Sequence, residues 1–275
     1  MESIMESIKE LRELLQAGKI HPSGWSRPWG YKLFQRGASI YITRILLPTS
    51  ITPTQITMMG LIFGLLGCYF VLQFEWQLKL AGLFLLYLHI LSDKVDGEIA
   101  RYRKTFSLRG IYWDEINHLI IPPLFWISLT FGISTITTYE LRDLFSVGIV
   151  GSLALIMNRI VHSLAPQIYA KKYMKRASDF ILPPQKGEES GKKSFFSFIS
   201  LIAKIVHQFQ DFFIIIASTT IILVIETFLR RDAIFHPLLA LFVFGMSTLF
   251  VLFAIENIIR KSLSVERDIR SIEER

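Results

Sequence analysis

The chain of 275 residues is too apolar for an ordinary soluble domain. Apolar and aromatic residues make up 51% of it, charged residues only 19%, and the mean hydropathy is +0.42, which excludes a disordered chain as well. The apolar residues fall in blocks of about 20 residues, the length that crosses a bilayer, and so indicate a polytopic membrane protein. The net charge of +7 suits anionic headgroups, phosphorylated substrates and nucleic acid alike.

Residues 1–52 precede the first apolar block and have two amphipathic parts. In residues 1–17, apolar side chains recur at helical spacing, which predicts a short amphipathic helix. Residues 25–47 mix Trp and Tyr with Lys and Arg, a composition typical of a segment that lies in the headgroup plane. A solvated cytosolic arm is the alternative for this second part.

Six apolar segments have about the length, roughly 20 residues at 1.5 Å of rise each, that spans a hydrocarbon core of ~30 Å. They cover residues 57–72, 78–99, 112–133, 145–164, 212–229 and 235–259. We therefore predict an all-α membrane protein with a six-helix catalytic domain over residues 53–262 and a tail over residues 263–275. With the N-terminus inside, 23 Lys and Arg residues flank the cytoplasmic side and four the other, so both termini are predicted to be cytoplasmic.

A polar stretch, residues 171–193, divides the spans into four and two. Its Pro, Gly and charged residues predict a flexible cytoplasmic linker. The following residues, 195–209, place Phe and Ile on one helix face. This pattern predicts a second interfacial helix or, alternatively, the start of the fifth span.

Ionisable side chains meet at the junction of the second and third spans, where they are costly and therefore functional candidates. Asp93 and Asp96 are three residues apart and Asp114 and His118 four apart, so each pair shares one helix face. Because the second span runs toward the cytoplasm and the third away from it, both pairs lie near the cytoplasmic boundary and can converge. Clustered carboxylates repel unless a cation joins them, and Mg²⁺ prefers such oxygens together with substrate phosphates. We predict a metal site formed by the three aspartates, which faces the cytoplasm.

Small and basic residues surround these acids. Gly97 and Ala100 remove side-chain bulk, which lets a nucleotide or another helix approach closely. Arg101 is a candidate for phosphate binding, with a positive-inside charge as the alternative. Lys94 and Glu98 are four residues apart, and we expect them to form a salt bridge with each other.

The fourth span carries a second polar group near its cytoplasmic end. Asn158, Arg159 and His162 occupy adjacent turns and are candidates for contact with an acceptor alcohol or a phosphate. The alternative for Arg159 is a side chain that extends to the membrane surface. His89, four residues before Asp93, is expected to be a buried core histidine.

These residues form a pattern that resembles the signature of the CDP-alcohol phosphotransferase family, D-x2-D-G-x2-A-R-x8-G-x3-D-x3-D. The chain reads Asp93-x2-Asp96-Gly97-x2-Ala100-Arg101-x8-Gly110-x3-Asp114-x3-His118. Seven of the eight specified positions match with the spacing intact, and the six-span plan is similar as well.

The resemblance implies a membrane phosphotransferase of phospholipid biosynthesis. Such an enzyme binds one or two divalent metals through its aspartates, transfers a substituted phosphate from a CDP-alcohol such as CDP-diacylglycerol to an acceptor alcohol, and releases CMP. The resemblance also implies a homodimer and no nucleic-acid partner. It assigns contacts with the CDP moiety to Thr57, Gly97, Ala100, Arg101 and Gly110. Thr57 ends the stretch Pro53-Thr54-Gln55-Ile56-Thr57, in which Thr54 replaces the Asn that the family commonly has.

His118 stands where the family usually has its fourth aspartate, and with Asp114 it forms the predicted catalytic pair. Its imidazole, which titrates near neutral pH, can accept the proton of the acceptor hydroxyl. It can instead bind a softer ion such as Mn²⁺ or make a structural hydrogen bond to Asp114. Two other classes stay open at this point: a transporter with an acidic cation site, and a non-catalytic relative that binds nucleotide or lipid.

Overall fold

The computed structural model describes residues 6–17, 31–134, 141–174, 211–229 and 237–273, and the regular structure in these ranges is all helical. Two short helices come first, α1 (Ile8–Leu15) and α2 (Arg36–Leu46), and a π-helical turn over Tyr31–Gln35 leads directly into α2. The long helices are α3 (Pro53–Leu72), α4 (Trp76–Arg103), α5 (Leu108–Ser134), α6 (Leu141–Met174), α7 (Phe212–Leu229) and α8 (Pro237–Glu273). The all-α prediction is confirmed for the described residues.

Five of the long helices contain a stretch that is long and apolar enough to cross a membrane. These stretches are Pro53–Leu72, Leu108–Ile133, Leu144–Leu164, Phe212–Leu229 and Pro237–Ser262. They correspond to five of the six predicted spans and make the chain an integral multi-pass membrane protein. The remaining segment forms α4, which is 28 residues long but too polar to meet the same criterion. Its place as a sixth span, and the cytoplasmic position of the termini, stay predictions.

The core of the helix bundle surrounds Trp126 of α5, which is fully buried. Its ring lies edge-to-face against Phe250 of α8 at a centroid distance of 5.1 Å, and its Nε1 donates a hydrogen bond to Ser247 Oγ at 2.9 Å. Edge-to-face aromatic pairs stabilise a core beyond their buried area, and the paired indole N–H avoids the cost of an unsatisfied donor. This packing fixes α5, the helix that carries Asp114 and His118, against α8.

The helices α3 and α4 cross in close contact at Gly67 and Gly82. A Cβ on Gly82 would lie 2.7 Å from the Gly67 carbonyl oxygen and 2.8 Å from the backbone nitrogen of Val71. Since neither backbone atom can yield cheaply, the crossing requires glycine. It aligns the N-terminal part of α3, with Thr57, beside the C-terminal part of α4, with Asp96.

Gly82→Ala is expected to lower the free energy of unfolding by about 1–3 kcal/mol, because overpacking a tight contact forces backbone shifts. Thermal unfolding in one detergent measures the change. The matched control is Gly245→Ala on α8, where an added Cβ meets nothing within 4 Å. Equal melting temperatures for the two variants would contradict the prediction.

The N-terminal helix α1 begins at Ile8 because Ser7 and Glu10 form a capping box. The Ser7 backbone N–H donates to the Glu10 carboxylate at 2.7 Å, and this hydrogen bond holds the pKa of Glu10 below its ordinary value. The apolar side chains Leu11 and Leu15 are fully buried against Ile40 of α2. Within the described residues 6–17, α1 covers only Ile8–Leu15 of the predicted helix, and it packs on the protein.

Several predicted features lie outside the described residues. They are the first five residues of the predicted N-terminal helix, the Trp-containing start of the interfacial part, most of the linker over residues 171–193, and the interfacial helix over residues 195–209.

Candidate active site

Asp93, Asp114 and His118 come together where α4 and α5 meet. One ligand atom from each lies within 4.8 Å of the others, and His118 Nε2 is 3.5 Å from Asp114 Oδ1 and 3.7 Å from Asp93 Oδ1. The connection between the helices is short because Lys104, in the left-handed conformation with φ of 53°, ends α4 sharply. The predicted convergence of the two helix ends is confirmed for these three residues, which we call the acid cluster.

Asp96 lies beside the acid cluster but is held by α3. Thr57 Oγ1 donates a hydrogen bond to Asp96 Oδ2 at 2.6 Å, and Asn117 Nδ2 of α5 donates to the Thr57 carbonyl oxygen at 3.1 Å. Asp96 is 9% exposed. The three helices α3, α4 and α5 are thus joined by polar contacts at this point, and the metal-ligating role of Asp96 stays a prediction.

The acid cluster has the donor atoms that a divalent ion needs. Its side chains are between 22% and 37% exposed, so an ion can reach them. Two carboxylate oxygens suit Mg²⁺ or Mn²⁺, and the imidazole nitrogen is better suited to Mn²⁺. The residues that the structure brings together therefore fit a small divalent metal ion.

Lys94 and Glu98 do not pair with each other, so the predicted salt bridge between them is wrong. The Lys94 ammonium contacts the carboxylate of Asp93, where it partly balances the charge of the acid cluster. Glu98 is fully buried and instead pairs with Arg36 of α2, whose Nη1 lies 2.9 Å from Glu98 Oε1. The spacing of four residues is compatible with the predicted pair, but Glu98 faces the buried contact with the N-terminal region and pairs there with Arg36.

A cavity of about 1000 Å³ opens on one side of the acid cluster, next to Asp96 and Asp114. We call it the large cavity. All five residues that the resemblance assigns to the CDP moiety line it: Thr57, Gly97, Ala100, Arg101 and Gly110. Thr54 lines it as well, with its Oγ1 3.4 Å from Ser107 Oγ. The predicted nucleotide-contacting residues therefore share one cavity.

Two further features of the large cavity bear on its ligand. Arg101 Nε donates to the Leu15 carbonyl oxygen at 2.8 Å, while its Nη2 has no hydrogen-bond partner among the described residues. Part of the wall is formed by Met59, Ile62 and Ile111, which are 46%, 55% and 58% exposed. These side chains belong to the apolar exterior of α3 and α5, so the cavity borders the lipid-facing surface.

A second cavity of about 350 Å³, the small cavity, lies on the other side of the acid cluster. Asp93 and His118 line it together with the three predicted acceptor residues, Asn158, Arg159 and His162. Arg159 Nη2 pairs with Glu115 Oε2 of α5 at 2.6 Å, which fixes the arginine at the cavity edge.

Two neighbouring groups support the walls of the small cavity. Asn158 Oδ1 accepts a hydrogen bond from Asn257 Nδ2 of α8 at 2.9 Å. His89 is 4% exposed, and its Nδ1 lies 2.9 Å from the Gly60 carbonyl oxygen. The expectation that His89 is buried is confirmed, and the residue also lines the small cavity.

Comparison with known proteins agrees with this geometry. The family model of CDP-alcohol phosphatidyltransferase matches residues 50–259, a range that contains the acid cluster and most of the residues around both cavities. The chain belongs to the CDP-alcohol phosphatidyltransferase family. The family is that of membrane phosphotransferases of phospholipid synthesis, which generally use a divalent metal, and it favours a transferase over a transporter. A search of curated proteins finds no match.

Three polar residues near the acid cluster were missed in the sequence. Asn117 and Glu115 flank His118 and Asp114 on α5, so their position within the motif was an available signal. Gln35 lines the small cavity from the N-terminal region, and nothing in the sequence pattern pointed to it.

Proposed function

We propose that the protein transfers a substituted phosphate from CDP-diacylglycerol, or a similar CDP-alcohol, to a small polar acceptor alcohol and releases CMP at the cytoplasmic side. One observation carries the proposal: the acid cluster lies between two cavities of different size and chemistry. Asp114 lines the large cavity, while Asp93 and His118 line the small one. Two substrates that enter from opposite sides meet at these carboxylates, and such positioning supplies much of the catalysis in a bimolecular transfer.

The large cavity suits the CDP-linked donor. Gly97 and Gly110 leave room for a nucleotide, and the unpaired Nη2 of Arg101 can donate to a phosphate oxygen, a charge-assisted hydrogen bond of the strong kind. The exposed apolar wall on α3 and α5 supports a donor that carries lipid tails, because those tails can stay in the bilayer while the headgroup enters the cavity.

The small cavity suits a small polar acceptor. Its volume of about 350 Å³ is near the lower end of ligand pockets, which disfavours a lipid alcohol as the acceptor. Lys94 and Arg159 contribute positive charge to its lining, and Asp93 and Asp211 negative charge. Such a mixed lining favours a molecule that carries several hydrogen-bonding groups.

The reaction is a direct displacement. The acceptor hydroxyl oxygen forms a bond to the β-phosphorus of the donor, the bond from that phosphorus to the oxygen bridging to the α-phosphate breaks, and CMP leaves with that oxygen. His118 Nε2 accepts the hydroxyl proton, and the facing carboxylates of Asp93 and Asp114 stabilise the imidazolium that results. Asp93 and Asp114, with Asp96 beside them, would hold a divalent ion, which would supply positive charge next to the diphosphate of the donor.

His118→Ala is expected to lower the rate of CMP release by about 10²–10⁴-fold, the usual contribution of a general base. His118→Asp retains part of the rate, because a carboxylate at this position can also accept the proton. The measurement is single-turnover CMP release at saturating acceptor, with Mn²⁺ binding followed by electron paramagnetic resonance. Full turnover in His118→Ala would rule out the base role, and loss of Mn²⁺ binding in that variant would assign His118 as a metal ligand instead.

The proposed function is tested by CMP release from the purified protein in liposomes. The donors are CDP-diacylglycerol and CDP-linked small alcohols, each supplied with small polyol acceptors and with Mg²⁺ or Mn²⁺, and Asp96→Asn is the blank. Release that depends on CDP-diacylglycerol, on metal and on Asp96 supports the proposal. CDP binding without release would identify a non-catalytic relative, and ion flux without release a transporter.

A further inference from the structure

Gln35 brings an unused hydrogen-bond donor to the small cavity from outside the family domain. It lines that cavity but precedes the residues 50–259 that match the family. Its side chain is 2% exposed, and its Nε2 has no hydrogen-bond partner within the part of the chain that the structure describes. A buried amide N–H without a partner is unfavourable, because the group has lost its hydrogen bonds to water and gained none in return. A ligand that supplies an oxygen to Gln35 removes this cost.

The backbone around Gln35 is fixed from both sides. Tyr87 of α4 donates its hydroxyl to the Phe34 carbonyl oxygen at 2.6 Å, and the Phe34 ring stacks on Phe213 of α7 at 5.9 Å. On the other side, Arg36 is tied to Glu98. Gln35 therefore belongs to a rigid wall of the cavity.

The local helix geometry at Gln35 is also unusual. Gln35 ends the π-helical turn over Tyr31–Gln35, directly before α2. Short π-helical stretches are rare and often found at functional sites. A hydrogen bond across the turn stabilises it: Arg36 Nε, which follows the turn, donates to the hydroxyl of Tyr31, its first residue, at 3.0 Å. This geometry supports a role for Gln35 in binding.

The small cavity brings Gln35 into one space with groups from three other helices. His118 belongs to α5, Lys94 to α4 and Arg159 to α6, and all three line the cavity with it. The first of these is the proposed base for the reacting hydroxyl. The Gln35 amide lines the same cavity as His118, so it is suited to bind a second oxygen of the acceptor whose hydroxyl reacts at His118.

We propose that Gln35 binds the acceptor alcohol by donating its amide N–H to a second oxygen, which belongs to another hydroxyl or to a phosphate. The acceptor class is thus a small polyol or a polyol phosphate, and the N-terminal region takes part in its selection. This inference rests on the proposed function, because it names the acceptor of that reaction.

Steady-state kinetics in liposomes test the proposal, with CDP-diacylglycerol as donor and glycerol, glycerol 3-phosphate and inositol as acceptors. Gln35→Leu is expected to raise the acceptor KM by about tenfold, the effect of one lost hydrogen bond to a buried group, while the donor KM stays the same. Gln35→Asn retains the amide and is expected to lose less. The matched control is Gln77→Leu, at an exposed position of α4. An unchanged acceptor KM in Gln35→Leu would overturn the proposal, and so would a fall in kcat with both KM values unchanged.

A second experiment needs no turnover and so separates this inference from the proposed function. The native Cys68 is buried and lines neither cavity, whereas Gln35 lines the small cavity. Gln35→Cys therefore introduces a thiol that a small water-soluble thiosulfonate is expected to label selectively through that cavity. Millimolar polyol or polyol phosphate is expected to slow the labelling, even if the wild-type protein releases no CMP. A thiol that the reagent cannot reach, or a labelling rate that no acceptor changes, would overturn the assignment of Gln35.

Discussion

Asp114→Asn is expected to lower the rate of CMP release by at least about 10²–10³-fold, the loss seen when one stabilising group of a transition state is removed. Asp114 is the member of the acid cluster that lines the large cavity, and its Oδ1 lies 3.5 Å from His118 Nε2. The amide has nearly the same shape, so the helix packing is retained. It carries no charge, so it neither holds a divalent ion well nor stabilises the protonated His118.

The measurement is CMP release at saturating donor and acceptor, with circular dichroism to show that the variant is folded. Glu256→Gln on α8 is the matched control, because Glu256 is 54% exposed and pairs only with Arg260 of the same helix among the described residues. Activity in Asp114→Asn equal to that of this control would remove Asp114 from the catalytic pair.

Glu98→Ala is expected to destabilise the protein by about 3–5 kcal/mol, the cost of leaving a buried charge without its partner. Glu98 is fully buried and accepts four hydrogen bonds from the N-terminal region. The donors are Gln16 Nε2 at 2.9 Å, Arg36 Nη1 at 2.9 Å, Ser39 Oγ at 2.8 Å and Thr43 Oγ1 at 2.7 Å. One carboxylate on α4 thus holds both α2 and the end of α1.

The loss of Glu98 is expected to reach the large cavity through Arg101. Arg101 Nε is held by the Leu15 carbonyl oxygen at the end of α1, so a loosened α1 leaves the guanidinium without this anchor. We expect weaker CDP binding in Glu98→Ala, together with faster proteolysis before residue 50.

A double-mutant cycle separates the buried pair from general disruption. The cycle consists of Arg36→Met, Glu98→Leu and the two combined. The double variant removes both charges, and we expect it to unfold at a higher temperature than Glu98→Leu alone, which leaves the Arg36 charge buried without its partner. Thermal unfolding in detergent is the measurement. A wild-type melting temperature for Glu98→Ala would contradict the central position of this carboxylate.

The spanning helices and the acid cluster could be predicted because both depend on local sequence. Apolar blocks of membrane-spanning length predicted five of the helices. The spacing of four residues between Asp114 and His118 predicted that both side chains lie on one face of α5. The short connection after α4 then required this face to meet Asp93. Even the start of α1 had a local signal, since Ser7 followed by Glu10 three residues later is the pattern of a capping box.

The contacts of the N-terminal region could not be predicted because they depend on packing between distant residues. Arg36 and Glu98 are 62 residues apart, and helical spacing offered Lys94 as a nearer partner. Periodicity showed that α1 has an apolar face, but not that Ile40 covers it. The position of Gln35 in the small cavity could not be predicted for the same reason, since no local pattern distinguishes a cavity-lining glutamine from a solvated one.

The coupling of CMP release to phospholipid formation tests the transferase assignment most directly. The protein in liposomes is supplied with CDP-diacylglycerol, a polyol acceptor and Mg²⁺ or Mn²⁺, and CMP and the new lipid are quantified together by chromatography and mass spectrometry. We predict equal amounts of the two products, with both abolished by a chelator and by Asp114→Asn. CMP without a new phospholipid, or transfer that persists in the chelator or in that variant, would contradict metal-dependent transfer at the acid cluster.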